Sequence, residues 1–105
     1  MRAKSLIALV AAALLLSAGP TLAGDPQAGR VKAETCMGCH GVTGYRNAYP
    51  AYRVPKLGGQ HPEYLVQALR AYQTGERSHA TMRAMVSHLS EQDMQDIAAF
   101  FAGSE

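Results

Sequence analysis

Residues 36–40 read Cys-Met-Gly-Cys-His, and Cys36 and Cys39 are the only cysteines in the chain. Two intervening residues put both sulfurs about one turn apart on the same side of the backbone. The next residue, His40, adds an imidazole. Whatever these three side chains hold must lie against this turn, and the rest of the chain has to fold around it. Three occupants compete: the cysteines' own disulfide or dithiol couple, a metal ion, and a haem.

A catalytic dithiol of the thioredoxin kind sits after a strand in a βαβ unit, and this chain has no strand pattern from which to build one. A zinc site would need His61, His79 or His88 to complete a tetrahedron with the two thiolates. Adjacent residues seldom reach one small ion together, so His40 would be left over. The spacing of the other histidines shows no such arrangement. Haem uses every residue of the motif, since Cys-x-x-Cys-His is the attachment signature of c-type haem. Both thiols add to the vinyl groups along one porphyrin edge, and His40 is carried to the iron. Gly38 and Gly41 are expected to leave room for the ring to approach the backbone. The two sulfurs then end as thioethers.

The first residues set the compartment. Arg2 and Lys4 precede an uncharged apolar run from about Leu6 to Leu16, then Pro20 and small residues around Ala23. That is the layout of a secretory signal peptide cleaved after Ala23. The apolar run is short for a membrane span, which needs about 20 residues. The expectation is therefore a signal peptide at 1–23 and one mature domain at 24–105, exported to the periplasm without a transmembrane span. A domain of that size makes a marginal core by itself and often depends on a staple such as a cofactor. Of ten basic side chains, cleavage removes Arg2 and Lys4, which leaves the basic residues equal in number to the eight acidic ones. A neutral domain has no electrostatic case for nucleic-acid binding.

The mature chain reads as helices around one long loop, with no internal repeat. Asp25 and Pro26 start a helix that is expected to run to about Cys36. Residues 41–59 carry four glycines and two prolines and are expected to be irregular, packed down by Tyr45, Tyr49, Tyr52, Val54 and Leu57. Pro62 opens a helix with Tyr64, Leu65, Ala68, Leu69 and Tyr72 on one face, stopped by Gly75. A short helix is expected within 80–89. Ser90 caps the last helix, with Asp93 three residues on in the role of a capping-box acid. Met94, Ile97, Ala98 and Phe101 form its buried stripe, and Gly103 ends it. The fold class is all-α, with three to five helices.

The stretches GRVKAETCMGCHG, VPKLGGQHPEYLVQALRAYQTGER and MRAMVSHLSEQDMQDIAAFFA together resemble class I c-type cytochromes. Within that class they are similar to one half of the two-haem cytochrome c4, over nearly the whole mature chain. The two-haem proteins carry two Cys-x-x-Cys-His sites and this chain carries one, so the resemblance is to a single-domain relative with one covalent haem c. It implies a class I cytochrome c fold and a sulfur ligand opposite His40. Met37 lies inside the attachment turn and Met94 on a core stripe, which leaves Met82 and Met85. Spacing does not separate these two. The resemblance selects Met82, eight residues before the serine that caps the last helix, with Met85 as the alternative. His79 and His88 are rival ligands that match no family position. The resemblance also implies that the Pro55 carbonyl accepts the other ring N–H of His40 and that Leu57 packs on the ring. Tyr45, Tyr49, Tyr52, Tyr64, Arg46 and Arg53 are candidate partners of the haem propionates. Gly29 should let the first helix cross the last closely, against an aromatic such as Phe100.

The activity implied is one-electron transfer with His/Met ligation, between donor and acceptor redox proteins, with no enzymatic reaction of its own. Two alternatives remain: a haem subunit of a larger dehydrogenase or oxidase, and a haem-based ligand sensor. A dimer would supply a second haem domain in place of the missing one.

Overall fold

The computed structural model describes residues 24–105; the expected signal peptide, residues 1–23, lies outside them. Asp25 takes extended backbone angles and its side chain accepts the Gln27 N–H, so helix α1 starts at Pro26 and runs Pro26–Lys32. The helix expected to end near Cys36 is in fact two. At Ala33 the backbone opens to φ −85° and ψ 0°, and α2 continues over Glu34–His40. The Cys36 N–H bonds back to the Ala33 carbonyl at 2.9 Å, a three-residue step that tightens the junction. Ala33 is fully buried, and its single methyl lets the chain change direction inside the core. The whole attachment motif is thereby helical.

The loop that follows is less irregular than its composition implies. Arg46–Ala48 (β1) and Ala51–Arg53 (β2) form a two-stranded antiparallel ribbon. Arg46 pairs with Arg53, Asn47 with Tyr52 and Ala48 with Ala51. Its turn contains a cis Tyr49–Pro50 peptide, and Asn47 Nδ2 donates to the Pro50 carbonyl at 2.8 Å. Three-residue strands are too short to show a period-two pattern, which is why the sequence reading missed them.

Helix α3 spans Pro62–Thr74 and stops at Gly75, whose φ of +85° is the left-handed cap that glycine adopts without steric cost. The seven-residue α4, Ala80–Val86, follows. Helix α5, Glu91–Ala102, begins with a complete capping box: the Ser90 hydroxyl accepts the Asp93 N–H and the Asp93 carboxylate accepts the Ser90 N–H. The described residues thus hold five helices and one small ribbon. The expected helical architecture stands with the ribbon added to it.

The terminal helices hold the fold together. A Cβ built on Gly29 would lie 1.8 Å from the Asp96 carbonyl oxygen and 3.0 Å from Phe100 Cβ, so α1 crosses α5 in direct backbone contact. The expected close approach against Phe100 is present. Asp96 is buried in this crossing. It accepts the Asp25 N–H at 2.8 Å, Lys32 Nζ at 2.7 Å and Gln92 Nε2 at 2.8 Å. Burial pushes the Asp96 carboxyl up, but Lys32, the Asp25 N–H and Gln92 outweigh it and hold it below its ordinary value. Lys32 also pairs with Asp93 at 2.9 Å. Hydrogen bonds from Lys32 and Ser90 bring Asp93 down to about 2. The apolar core beneath joins Ala33, Leu65, Ile97, Ala98 and Phe101, with Cys36, Leu57 and Leu69 against it. Met94 is 2% exposed, a core residue as expected. The loop from the ribbon to α3 is tied to the end of α5 by the Gly59 N–H on the Phe101 carbonyl, 2.9 Å.

Candidate functional site

Between α2, the ribbon, α3, α4 and α5 lies a cavity of about 440 Å³. That is the size class of small-molecule and cofactor sites, roughly 300–1,000 Å³. Cys36, Cys39 and His40 form one part of its wall, and Met82 and Met85 belong to another. Leu57, Leu65, Leu69, Val86 and Ile97 supply much of the apolar remainder. Each half of this arrangement has a local cause. The break at Ala33 ends α1, and α2 carries Cys36, Cys39 and His40 in the cavity wall. The Gly75 stop ends α3 and lets the chain double back into α4.

The His40 Nδ1–H donates to the Pro55 carbonyl at 2.8 Å. A carbonyl only accepts, so this contact assigns the proton to Nδ1 and leaves Nε2 unprotonated. Cys36 and Cys39 are both unpaired thiols. Burial pushes the Cys36 thiol up, against a smaller lowering by Thr35. Among the described residues no buried side-chain nitrogen or oxygen lacks a hydrogen-bond partner. A cavity with two thiols and an imidazole on one wall, thioethers on another and satisfied polar groups throughout fits a covalently attached c-type haem. Among the described residues no three His, Cys, Asp or Glu side chains gather into a metal-ion cluster.

Several residues singled out in the sequence converge here and others do not. Pro55, Leu57, Tyr52, Tyr64 and Arg53 line the cavity, whereas Tyr45, Tyr49 and Arg46 are not in its wall; Tyr49 is 94% exposed. Met37 and Met94 are also outside the wall, and both Met82 and Met85 are in it. Gly38 and Gly41 are exposed and are not among the wall residues. His88 is exposed, but His79 lines the cavity beside Tyr52, their rings edge-to-face with centroids 4.5 Å apart. Lys32, Gln60 and Arg77 are wall residues that the sequence reading did not pick out. Arg77 lies over the Tyr72 ring, 4.8 Å from its centroid. Tyr72 was visible on the apolar face of α3, but nothing local marked the Arg77 that folds over it.

A short helical domain whose cysteine pair and following histidine open onto an apolar cavity, with methionines in another wall, defines a c-type cytochrome class. The comparisons agree. A family model described as cytochrome c matches residues 27–104. Cytochrome c4 of Pseudomonas aeruginosa is 41% identical over 96 residues, covering 88% of this chain and 46% of that protein. Cytochrome c-554(548) of Halomonas halodenitrificans is 42% identical over 86 residues, covering 79% of this chain and all of that protein. Among solved structures, a chain of thiosulfate dehydrogenase from Marichromatium purpuratum superposes with a TM-score of 0.66 at 32% identity, covering 85% of this chain and 21% of that one. The chain belongs to the cytochrome c family. It spans about half the length of the cytochrome c4 relatives it matches, and its cofactor is covalent haem c.

Proposed function

We propose that the domain is an exported one-electron carrier of the periplasm, released from residues 1–23 by cleavage after Ala23. The observation that carries this reading is the meeting of Cys36, Cys39, His40, Met82 and Met85 around one apolar cavity, with His40 Nδ1 committed to the Pro55 carbonyl. Cys36 and Cys39 would hold the haem through thioether bonds, and His40 Nε2 and the Met82 sulfur would hold its iron, with Met85 as the alternative to Met82. When bound, the haem supplies a single-electron ferric/ferrous couple. The chain's residues do the rest. The Pro55 carbonyl fixes the His40 ring and raises its basicity. Leu57 and the other apolar wall residues exclude water, and a thioether ligand favours the reduced state. With both His40 and a methionine holding the iron, no coordination site would be left open for a substrate, which suits a carrier rather than an enzyme.

The test is the visible spectrum of the exported protein, oxidised and reduced. Sharp reduced α and β bands, haem that stays with the denatured chain, and a methionine–ferric charge-transfer band are expected. Met82→Ala should abolish that band and lower the potential, while Met85→Ala should keep it; the reverse pattern moves the ligand to Met85. Rapid carbon monoxide binding by ferrous wild-type protein at neutral pH would favour the sensor alternative.

A thiosulfate dehydrogenase electron acceptor of Thiomonas intermedia, 34% identical over 71 residues, fits the carrier reading by its name. A second reading, a haem subunit within a dehydrogenase, is favoured by the name of another relative. The cytochrome subunit of a sulfide dehydrogenase from Chlorobaculum tepidum is 28% identical over 73 residues. Purification from the native source decides between the two readings: a monomeric cytochrome supports the carrier, and a stable complex with a larger redox subunit supports the subunit reading.

A further inference from the structure

We propose that His79 is a positioning residue for Met82, acting as the side-chain cap that sets the helix bearing it; this rests on Met82 being the sulfur ligand. Helix α4 has only seven residues. A helix that short has no independent stability, so its orientation is imposed from its ends. At its C-terminal end, Gln73 Nε2 of α3 donates to the carbonyls of Val86 and Leu89, both at 2.7 Å. At its N-terminal end the cap is His79. This residue takes extended backbone angles, φ −163° and ψ 110°, and its Nδ1 accepts the Met82 N–H at 3.3 Å. Ser, Thr, Asp and Asn are the usual caps, so a histidine here calls for a second reason. The ribbon supplies it: the His79 ring stands edge-to-face on Tyr52 of β2, at an interplanar angle of 87°. A shorter cap would satisfy the Met82 N–H but could not reach Tyr52.

The consequence is a continuous mechanical link across the cavity. Tyr52 lies three residues before Pro55, whose carbonyl orients His40. One segment of backbone, 52–55, therefore braces both proposed axial ligands, His40 through a hydrogen bond and Met82 through the Tyr52–His79 pair. His79 lines the same cavity, yet its Nδ1 lone pair is taken up by the Met82 N–H. It acts through Met82.

The experiment uses the holoprotein at a fixed pH of about 8, where a free histidine is neutral. The readouts are the methionine–ferric charge-transfer band and the rate of carbon monoxide binding to ferrous protein, with far-UV circular dichroism recorded alongside. In His79→Ala the carbon monoxide rate should rise about tenfold, the scale of a lost N-cap, and the band should weaken while overall helicity stays near wild type. His79→Asn, which restores a capping acceptor but not the Tyr52 contact, should recover both signals in part, to about the level of Tyr52→Ala. A wild-type band and rate in His79→Ala overturn the proposal. Failure of Asn to rescue overturns it too, because the imidazole would then act otherwise than as a cap. If His79→Ala does not accumulate, Tyr52→Ala keeps the cap but removes its brace; an unchanged carbon monoxide rate in that variant refutes the link. Met82→Ala separates the two levels: if it retains the band, the ligand assignment has failed, whatever His79 does.

Discussion

Gly29→Ala should lower the melting temperature of the holoprotein by about 10 °C, although alanine is the better helix former. Two effects oppose each other. Inside a helix, alanine gains about 1 kcal/mol over glycine. Against that, the new methyl would lie 1.8 Å from the Asp96 carbonyl oxygen and 2.4 Å from its carbon. A tolerable carbon–oxygen contact is roughly 3.3 Å, so α1 has to withdraw from α5 by about 1.5 Å. The obstruction is backbone, which has no rotamer to change, so the overpacking cost falls at the upper end of the usual range of about 1–3 kcal/mol. Withdrawal also stretches the bonds of the Asp25 N–H and Lys32 to Asp96. The net loss is about 2 kcal/mol, and each kcal/mol moves the melting temperature of a domain this size by about 4–8 °C. Gly103 is the control: a Cβ there makes only ordinary contacts, 3.7 Å from the Ala99 carbonyl oxygen, so Gly103→Ala should hold the melting temperature. The assay is thermal unfolding followed by far-UV circular dichroism, with denaturant midpoints at constant slope as a check. A Gly29→Ala melting temperature equal to or above wild type, or equal shifts in both variants, would refute the steric account. Gly29→Val should fall further than Gly29→Ala.

Other perturbations probe separate parts of the fold. Ser90→Ala removes the hydroxyl half of the α5 capping box and should cost about 1 kcal/mol, read as a lower denaturant midpoint. Gly75→Ala places a side chain at φ +85° and should destabilise by about 1 kcal/mol by the same assay. Acid should attack the Lys32–Asp93–Asp96 cluster. Both carboxyls are held below 3.8, Asp93 at about 2, so their contribution is complete above pH 4 and is lost as pH falls towards 2. Asp96→Asn should lower stability at pH 7 and flatten the acid limb of a pH titration of the denaturant midpoint; an unchanged acid limb would show that these groups do not drive acid unfolding. Lys32 is raised above 10.5, by Asp96 first and then Asp93. Its contribution is present below that pH and fades as pH rises through the raised value.

Much of this fold was legible because its punctuation is local. Asp25, Gly75 and the Ser90–Asp93 pair each act within three or four residues, and the structure places caps at all of them. Gly29 was legible for another reason, since a helical glycine is costly unless something presses against it. The misses have equally definite causes. The ribbon at 46–53 has strands of three residues, below the length at which alternation can be read. The break at Ala33 has no glycine or proline to announce it. Of six candidate propionate partners, Tyr52, Tyr64 and Arg53 reach the cavity wall, a sorting set by how the ribbon and α3 pack together around the cavity.

The sequence by itself determined the chemistry of the attachment, because Cys36, Cys39 and His40 meet within one helical turn and need no distant residue to do so. It also determined helix order and most helix ends, since hydrogen bonds between residues four apart are decided locally. Only the tertiary structure decided which side chains surround the cavity, that the Pro55 carbonyl stands 2.8 Å from His40 Nδ1, and that His79 caps the helix of Met82 while resting on Tyr52. It alone joined Asp25 to Asp96, 71 positions apart. Such contacts form only when packing has already spent the entropy of closing long loops, and no local pattern records where a chain will meet itself.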